Sequence, residues 1–271
     1  MVLESIISPI KAEKNPWEMF FIGFLYSSAA VIISLFLFME YASLVMIFFT
    51  VAASIPLIYW AIKLEEKKDL SIHSEKVLIK EHGKVLAFFV FLFLGFVVSF
   101  SLWYIMLPPE ITVKLFEVQV NTINNINNPL TGNAVNLIGT FSKILFNNLR
   151  VLLFCLVFAF FYGFGAIFIL TWNASIMGAA IGMFVRNHIG NYITILPIAL
   201  LKYLIHGIPE MIAYFMAGLA GGIISIAVIR HDLNSKKFRH IVLDSADMLF
   251  GSVIILIIAA LLEIFVSPLI I

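Results

Sequence analysis

The sequence is poor in charged residues. Asp, Glu, Lys and Arg make up 12% of its 271 residues, against about 25% in a soluble globular domain. The formal net charge is only +1, so no strong field attracts nucleic acid or an acidic partner. We therefore expect no nucleic-acid partner. The low content of charged residues indicates a protein that is embedded in an apolar environment.

Cysteine and short catalytic motifs are also scarce. The single cysteine, Cys155, lies inside an apolar run and has no second cysteine for an intrachain disulfide. The chain has no P-loop, no CxxC pair and no His-Glu-x-x-His zinc motif. No cofactor is expected, and nothing in the motifs indicates an enzyme.

Apolar residues make up most of the chain. They form 62% of the chain, and the mean hydropathy is +1.06. The apolar runs are long and continuous, unlike the alternating segments of about 10 residues that build a membrane barrel. The sequence predicts an all-α, polytopic helical membrane protein.

Six full-length spans and two shorter apolar runs are predicted. A comfortable span needs about 20 residues, and each short run falls below that length. The sequence Gly207-Ile208-Pro209 indicates a helix break directly after the second short run. We expect one short run to be re-entrant, which gives broken helices and about seven spans in all. The spans cover residues 17–38, 43–62, 85–107, 149–171, 208–229 and 245–266, and the short runs are 174–187 and 192–205.

Basic residues orient the chain. Two polar segments, 63–84 and 230–239, carry ten of the seventeen basic residues and are expected to face the cytoplasm. The asparagine-rich segment 108–147 then lies outside, with one amphipathic helix near 111–118 and another near 135–145. The N-terminus is expected in the cytoplasm and the C-terminus outside the cell membrane.

Glycine residues at helical spacing predict close helix packing. Small residues four apart let two helix backbones approach each other within a membrane. We expect these contacts to lie mainly within one chain, although the same pattern also occurs where a homo-oligomer forms. The candidates are Gly163, Gly165, Gly178, Gly182, Gly218 and Gly222.

A few polar side chains lie in strongly apolar sequence. Ionisable groups are costly there and are kept only when they meet partners, water or a ligand. We expect them to converge in one buried polar cluster. Its candidate members are Asn148, Asn173, Lys202, His206, Glu210 and Glu263.

Three interpretations of this cluster stay open. The side chains can satisfy one another and hold the helices together. They can instead line a site for a substrate, lipid, proton or ion, as in a transporter or channel. In the third interpretation His206, Glu210 and Glu263 bind a metal ion and activate water, as in an intramembrane metalloenzyme.

The C-terminal part of the chain resembles the stage II sporulation protein M family. The resemblance covers roughly residues 85–271. It is carried by Asn147-Asn148 at the start of a span, the run His206-Gly207-Ile208-Pro209-Glu210, and Glu263 ahead of Pro268. This chain departs from the family by an additional N-terminal hairpin, residues 1–62.

The resemblance implies a membrane protein that works with others. Founding members of the family are the membrane-embedded part of a complex with two cell-wall-degrading enzymes in spore-forming bacteria. We accordingly expect a non-enzymatic membrane scaffold that contacts lipids and other envelope proteins. Residues 1–84 would form a hairpin with a basic loop, and 85–271 the family-like domain.

Overall fold

The chain folds as a bundle of α-helices. The computed structural model describes residues 15–71, 75–127, 137–162, 165–188, 192–230, 233 and 235–270, and no β-strand occurs among them. The helices are α1 (Glu18–Leu37), α2 (Ala42–Ser71), α3 (Glu75–Met106), α4 (Pro109–Leu115), α5 (Glu117–Asn127), α6 (Leu137–Tyr162), α7 (Ala166–Asn187), α8 (Tyr192–Arg230) and α9 (Lys236–Phe265). Short 3-10 turns cover Met39–Tyr41 and Ser267–Leu269.

Seven helices of the described chain have the length and composition to cross a membrane. They are α1, α2, α3, α6, α7, α8 and α9. Helix α8 is central, because 72% of its most apolar stretch is buried against other helices, whereas α6 and α9 bury only 22% of theirs. The prediction of an all-α polytopic membrane protein with about seven spans is confirmed.

The N-terminal hairpin packs directly on the rest of the bundle. Helix α1 lies along α3, where Gly23 faces the Leu92 carbonyl group and Gly95 faces that of Phe20. A side chain on either glycine would run into that backbone, so the absence of Cβ atoms sets the helix separation. The hydroxyls of Ser28 and Ser99 share a hydrogen bond of 2.9 Å at the same interface.

The predicted fourth span was wrong at both ends. Helix α6 begins at Leu137 and ends at Tyr162, so the amphipathic stretch 135–145 is largely its first turns and not a separate surface helix. Helix α7 then starts at Ala166. Gly165 is the N-cap residue of α7, a position at which glycine is favoured. The predicted span had continued through this point to residue 171.

The predicted broken and re-entrant helices were also wrong. Residues 174–187 are the second half of the 22-residue helix α7, and 192–205 are the first turns of the 39-residue helix α8. Helix α8 continues through Pro197 and Pro209. A proline removes one hydrogen bond, but a full break in hydrocarbon would leave several backbone groups without partners. Both stretches therefore belong to full-length spans.

The segment after α3 forms two short helices in succession. Helices α4 and α5 lie within the part of 108–147 where one amphipathic helix was predicted. Leu115 and Phe116, at the junction, are fully buried, and the Phe116 ring lies 5.1 Å from that of Tyr104 in α3. This segment is therefore packed onto the end of the bundle.

Candidate functional site

Helix α8 presents His206 to the end of α9. The His206 Nδ1 atom lies 2.8 Å from the Ser267 hydroxyl in the 3-10 turn after α9. Further along the interface, Gly251 of α9 lies against Met216 of α8. These two contacts show that α8 and α9 run antiparallel. The histidine thus has a neutral hydrogen-bond partner within the bundle.

Glu210 lies one turn further along α8 and has two neighbours. The Tyr214 hydroxyl donates a hydrogen bond of 2.6 Å to its Oε1 atom, and Tyr214 is fully buried. The carboxyl group of Glu263 in α9 is within electrostatic range of Glu210. The antiparallel register of α8 and α9 therefore places these two predicted acids, from distant parts of the sequence, at a similar depth on adjacent helices.

Helix α6 closes the cluster from a third side. Cys155 is buried and within electrostatic range of Tyr214, and Ala159 of α6 faces Gly221 of α8. The two helices therefore run parallel, and the same register places Asn148 near the depth of Glu210. Asn148 is 4% exposed, and its Nδ2 atom makes no hydrogen bond with the part of the chain that is described.

Two predicted members lie apart from these groups. The Lys202 ammonium group is 5.0 Å from the centre of the Phe184 ring in α7, where it makes a cation–π contact. The Asn173 amide donates a hydrogen bond of 2.8 Å to the Ile169 carbonyl group of its own helix. Neither side chain has a recorded contact with the two carboxyl groups.

The predicted glycines lie mostly at helix contacts. Gly178 and Gly182 of α7 face Phe100 and Tyr104 of α3, where an added Cβ would lie 2.7 Å and 2.6 Å from the nearest atom. Gly218 faces Ala166, at 2.9 Å. Gly165 faces the Phe158 carbonyl group, and Gly222 is buried within α8. Gly163 lies outside the described residues.

His206 and Glu210, which were offered as possible metal ligands, both have hydrogen-bond partners within the bundle. Among the described residues, no group of three or more His, Cys, Asp or Glu side chains is arranged to hold an ion. His206 bonds a serine, and Glu210 bonds a tyrosine. The arrangement can tie α6, α8 and α9 together, or hold a proton between two carboxyl groups in apolar surroundings.

Several residues of interest escaped the sequence analysis. Tyr214 follows Glu210 by four residues, which is the spacing of side chains that meet on one helix face, and that signal was available. Ser267 gave no such signal, because only the fold brings it to His206. Glu65 and His82 lie in the segment that was predicted to be a basic cytoplasmic loop, yet both are buried and joined by a contact of 2.7 Å.

The chain is similar to a known protein family and to a curated archaeal protein. Residues 84–268 match the family model described as Stage II sporulation protein M, a range that contains the entire polar cluster. The uncharacterized protein MJ0793 of Methanocaldococcus jannaschii is 28% identical over 175 residues, which cover 60% of this chain and 94% of that protein. No solved structure matches. Because the family model spans more than half of the sequence, the chain belongs to the stage II sporulation protein M family.

Proposed function

We propose that this multi-pass membrane protein is a non-enzymatic scaffold that holds a partner of the cell envelope. In this proposal helices α4 and α5 form the docking surface outside the membrane. The N-terminus lies in the cytoplasm and the C-terminus outside. The single observation that carries the proposal is that this surface is fixed to the bundle by buried polar contacts.

Gln119 of α5 makes these contacts. Its side chain is fully buried. Its Oε1 atom accepts a hydrogen bond of 2.8 Å from the Ser43 hydroxyl in α2. Its Nε2 atom donates bonds of 3.3 Å to the Ser43 carbonyl group and to the Ser175 hydroxyl in α7. One amide thereby joins three helices, which favours a rigid presentation of α5.

The exposed side of the same segment is mostly polar, with Val113 as an apolar exception. Helix α4 exposes Glu110 and Lys114, and α5 exposes Glu117 and asparagines such as Asn124. A rigid surface of mixed charge suits protein recognition, since a surface that is already ordered loses less conformational entropy when a partner binds. This supports a docking role for α4 and α5.

The charge distribution supports the proposed orientation. The described parts of the basic segments 63–84 and 230–239 lie at the end of the bundle opposite α4 and α5, because α3 and α8 each connect the two ends. Positive residues favour the cytoplasmic side. An odd number of spans puts the two termini on opposite sides of the membrane.

The meeting of Glu210 and Glu263 favours a second candidate. Two carboxyl groups from facing helices, with His206 one turn away, are suited to passing a proton or a cation between them. In this alternative the protein is a transporter or channel. The scaffold remains our first proposal, because His206 and Glu210 already have partners within the bundle.

Site-specific photocrosslinking in the native host tests the scaffold. A photoreactive amino acid replaces Lys114 on α4 in one variant and Leu233 in the other. Leu233 is 55% exposed and lies between α8 and α9, at the opposite end. We expect Lys114 to give a discrete adduct with a protein that has a domain outside the membrane. Leu233 should not give that adduct.

A Gln119→Leu substitution in the Lys114 variant provides the second arm. It removes the bonds to Ser43 and Ser175 but leaves the seven spans intact. The adduct should fall several-fold while the protein level in the membrane is retained. The proposal fails if both positions give the same adducts, or if Lys114 gives none.

A further inference from the structure

A cavity of about 400 Å³ lies between α3, α8 and α9, away from the polar cluster. It occupies the end of the bundle opposite α4 and α5. Leu78, His82, Gly83 and Leu86 of α3 form one wall, and Asp244, Asp247 and Met248 of α9 form the other. Met216 of α8 lies between them. The volume falls within the range of about 300–1,000 Å³ that is usual for small-molecule pockets.

One carboxylate at this cavity has no compensating charge. Asp247 is exposed and makes no hydrogen bond or ion pair with the residues that the structure describes. The other charged groups nearby are paired. His240 lies 3.3 Å from Asp244, and the buried Glu65 contacts both His82 and Lys68. Among the described residues that line the cavity, the one charged group without a partner is therefore a carboxylate.

The remaining lining is apolar and adaptable. Leu78 and Leu86 are branched and apolar, whereas Met216 and Met248 are flexible thioether side chains that adjust to irregular or aromatic shapes. Gly83 leaves part of the α3 wall open, since a Cβ atom there would meet nothing within 4 Å. The cavity thus combines a large apolar surface with one acidic edge.

We propose that this cavity binds a lipophilic organic cation, with its positive charge beside Asp247 and its apolar groups between Leu86, Met216 and Met248. An apolar body matches the walls, and a single positive charge matches the unpaired carboxylate. An anion would be repelled, and a small inorganic ion would leave the apolar walls without contacts. This inference does not depend on the scaffold proposal.

Tetraphenylphosphonium is a suitable probe, because its charge is permanent and shielded by aromatic rings. Its binding to the purified full chain in nanodiscs of zwitterionic lipid is measured by scintillation proximity. Empty nanodiscs correct for partition into lipid. We expect saturable binding at one site per chain. The neutral analogue triphenylphosphine oxide should compete at least about tenfold less well, because it lacks the charge.

Two substitutions test the location. Asp247→Asn should weaken binding about tenfold or more, because it removes the unpaired charge and little else. Gly83→Leu should abolish saturable binding, because the leucine side chain would fill the cavity. A Cβ atom at this position meets nothing within 4 Å, so the substitution should not cause a steric clash in the fold. Glu117→Gln, which removes an equal charge from α5, should leave binding unchanged.

Each result of these binding measurements either supports or overturns the cation-binding proposal. Loss of binding in Asp247→Asn and Gly83→Leu, with Glu117→Gln like the wild type, supports the site. Equal competition by the neutral analogue would make the cavity a groove for lipid chains and overturn the cation proposal. The absence of saturable binding, or unchanged binding in both cavity variants, would also overturn it.

Discussion

Tyr214 and Glu210 form a side-chain pair on the central helix of the bundle, with the tyrosine hydroxyl 2.6 Å from the carboxyl oxygen. The pair lies one turn from His206 and opposite Glu263 of α9. Tyr214 is fully buried, and Glu210 is half-buried within an apolar helix. The hydroxyl therefore provides this acid with a hydrogen-bond donor inside the bundle.

Tyr214→Phe should destabilise the protein by about 1–2 kcal/mol, because it leaves the Glu210 carboxyl without its donor while keeping the ring. The free energy of unfolding in mixed micelles measures the effect. Tyr203→Phe is the matched control, since Tyr203 lies on the same helix, contacts Phe184 through its ring and makes no hydroxyl hydrogen bond with the described residues. Equal effects of the two substitutions would show that the Glu210 bond contributes little.

Arg186 should stabilise the end of α3. Its guanidinium group donates to the Ile105 carbonyl group at 3.1 Å and to that of Leu107, and it lies 5.4 Å from the centre of the Tyr104 ring. The last carbonyl groups of a helix lack partners within the helix. Arg186→Lys should lower the free energy of unfolding by about 1 kcal/mol, because a single ammonium group does not reproduce the planar fork.

Hydrogen exchange distinguishes this role from a general loss of stability. Protection in Arg186→Lys should fall first in residues 105–116, around the α3–α4 junction. Lys114→Ala, which changes an exposed cation on α4, serves as the control and should leave that protection unchanged. Uniform loss of protection along the chain would contradict a local role for Arg186.

The sequence identified the costly residues but not their partners. His206, Glu210 and Glu263 stand out because an ionisable group within an apolar run is expensive wherever the fold puts it. Ser267 does not stand out, since a serine near a chain end is ordinary. Lys202 and Asn173 look equivalent to the others in sequence, yet they bind a ring in α7 and a carbonyl group of their own helix.

Two local sequence patterns gave wrong predictions of secondary structure, because tertiary packing outweighed the local preference. Gly207-Ile208-Pro209 is a helix-breaking sequence in water, but α8 continues through it. Gly207 is buried against the end of the Met177 side chain, so its lack of a side chain serves packing. The lysine-rich segment 63–84 similarly predicted a basic loop, although α2 extends to Ser71 and buries Glu65.

Glu263→Gln tests whether the polar cluster is structural or forms the ion site of a transporter or channel. The substitution keeps the shape of the side chain and removes a carboxyl group next to Glu210. If the cluster is structural, the free energy of unfolding should stay the same or rise by up to about 1 kcal/mol, because repulsion between the two acids is relieved. Proton and sodium flux into proteoliposomes should not exceed that of empty liposomes, in wild type or variant.

Glu117→Gln is the control, because it removes an exposed acid outside the cluster. A wild-type flux that Glu263→Gln abolishes, and that Glu117→Gln retains, would favour the transporter over the scaffold. Both unfolding and flux are needed, since a destabilised variant would also lose transport.

Two alanine substitutions at glycines should have opposite effects. In Gly178→Ala the new Cβ would lie 2.7 Å from the Phe100 Cβ and 3.2 Å from backbone atoms of α3. Backbone atoms do not move aside, so α7 must shift from α3, at a cost of about 1–3 kcal/mol. In Gly83→Ala the Cβ meets nothing within 4 Å, and the higher helix propensity of alanine should stabilise α3 by about 0.5–1 kcal/mol. The free energies of unfolding in the same micelles should therefore change in opposite directions, and a stabilising Gly178→Ala would show that α3 and α7 are packed less closely than described.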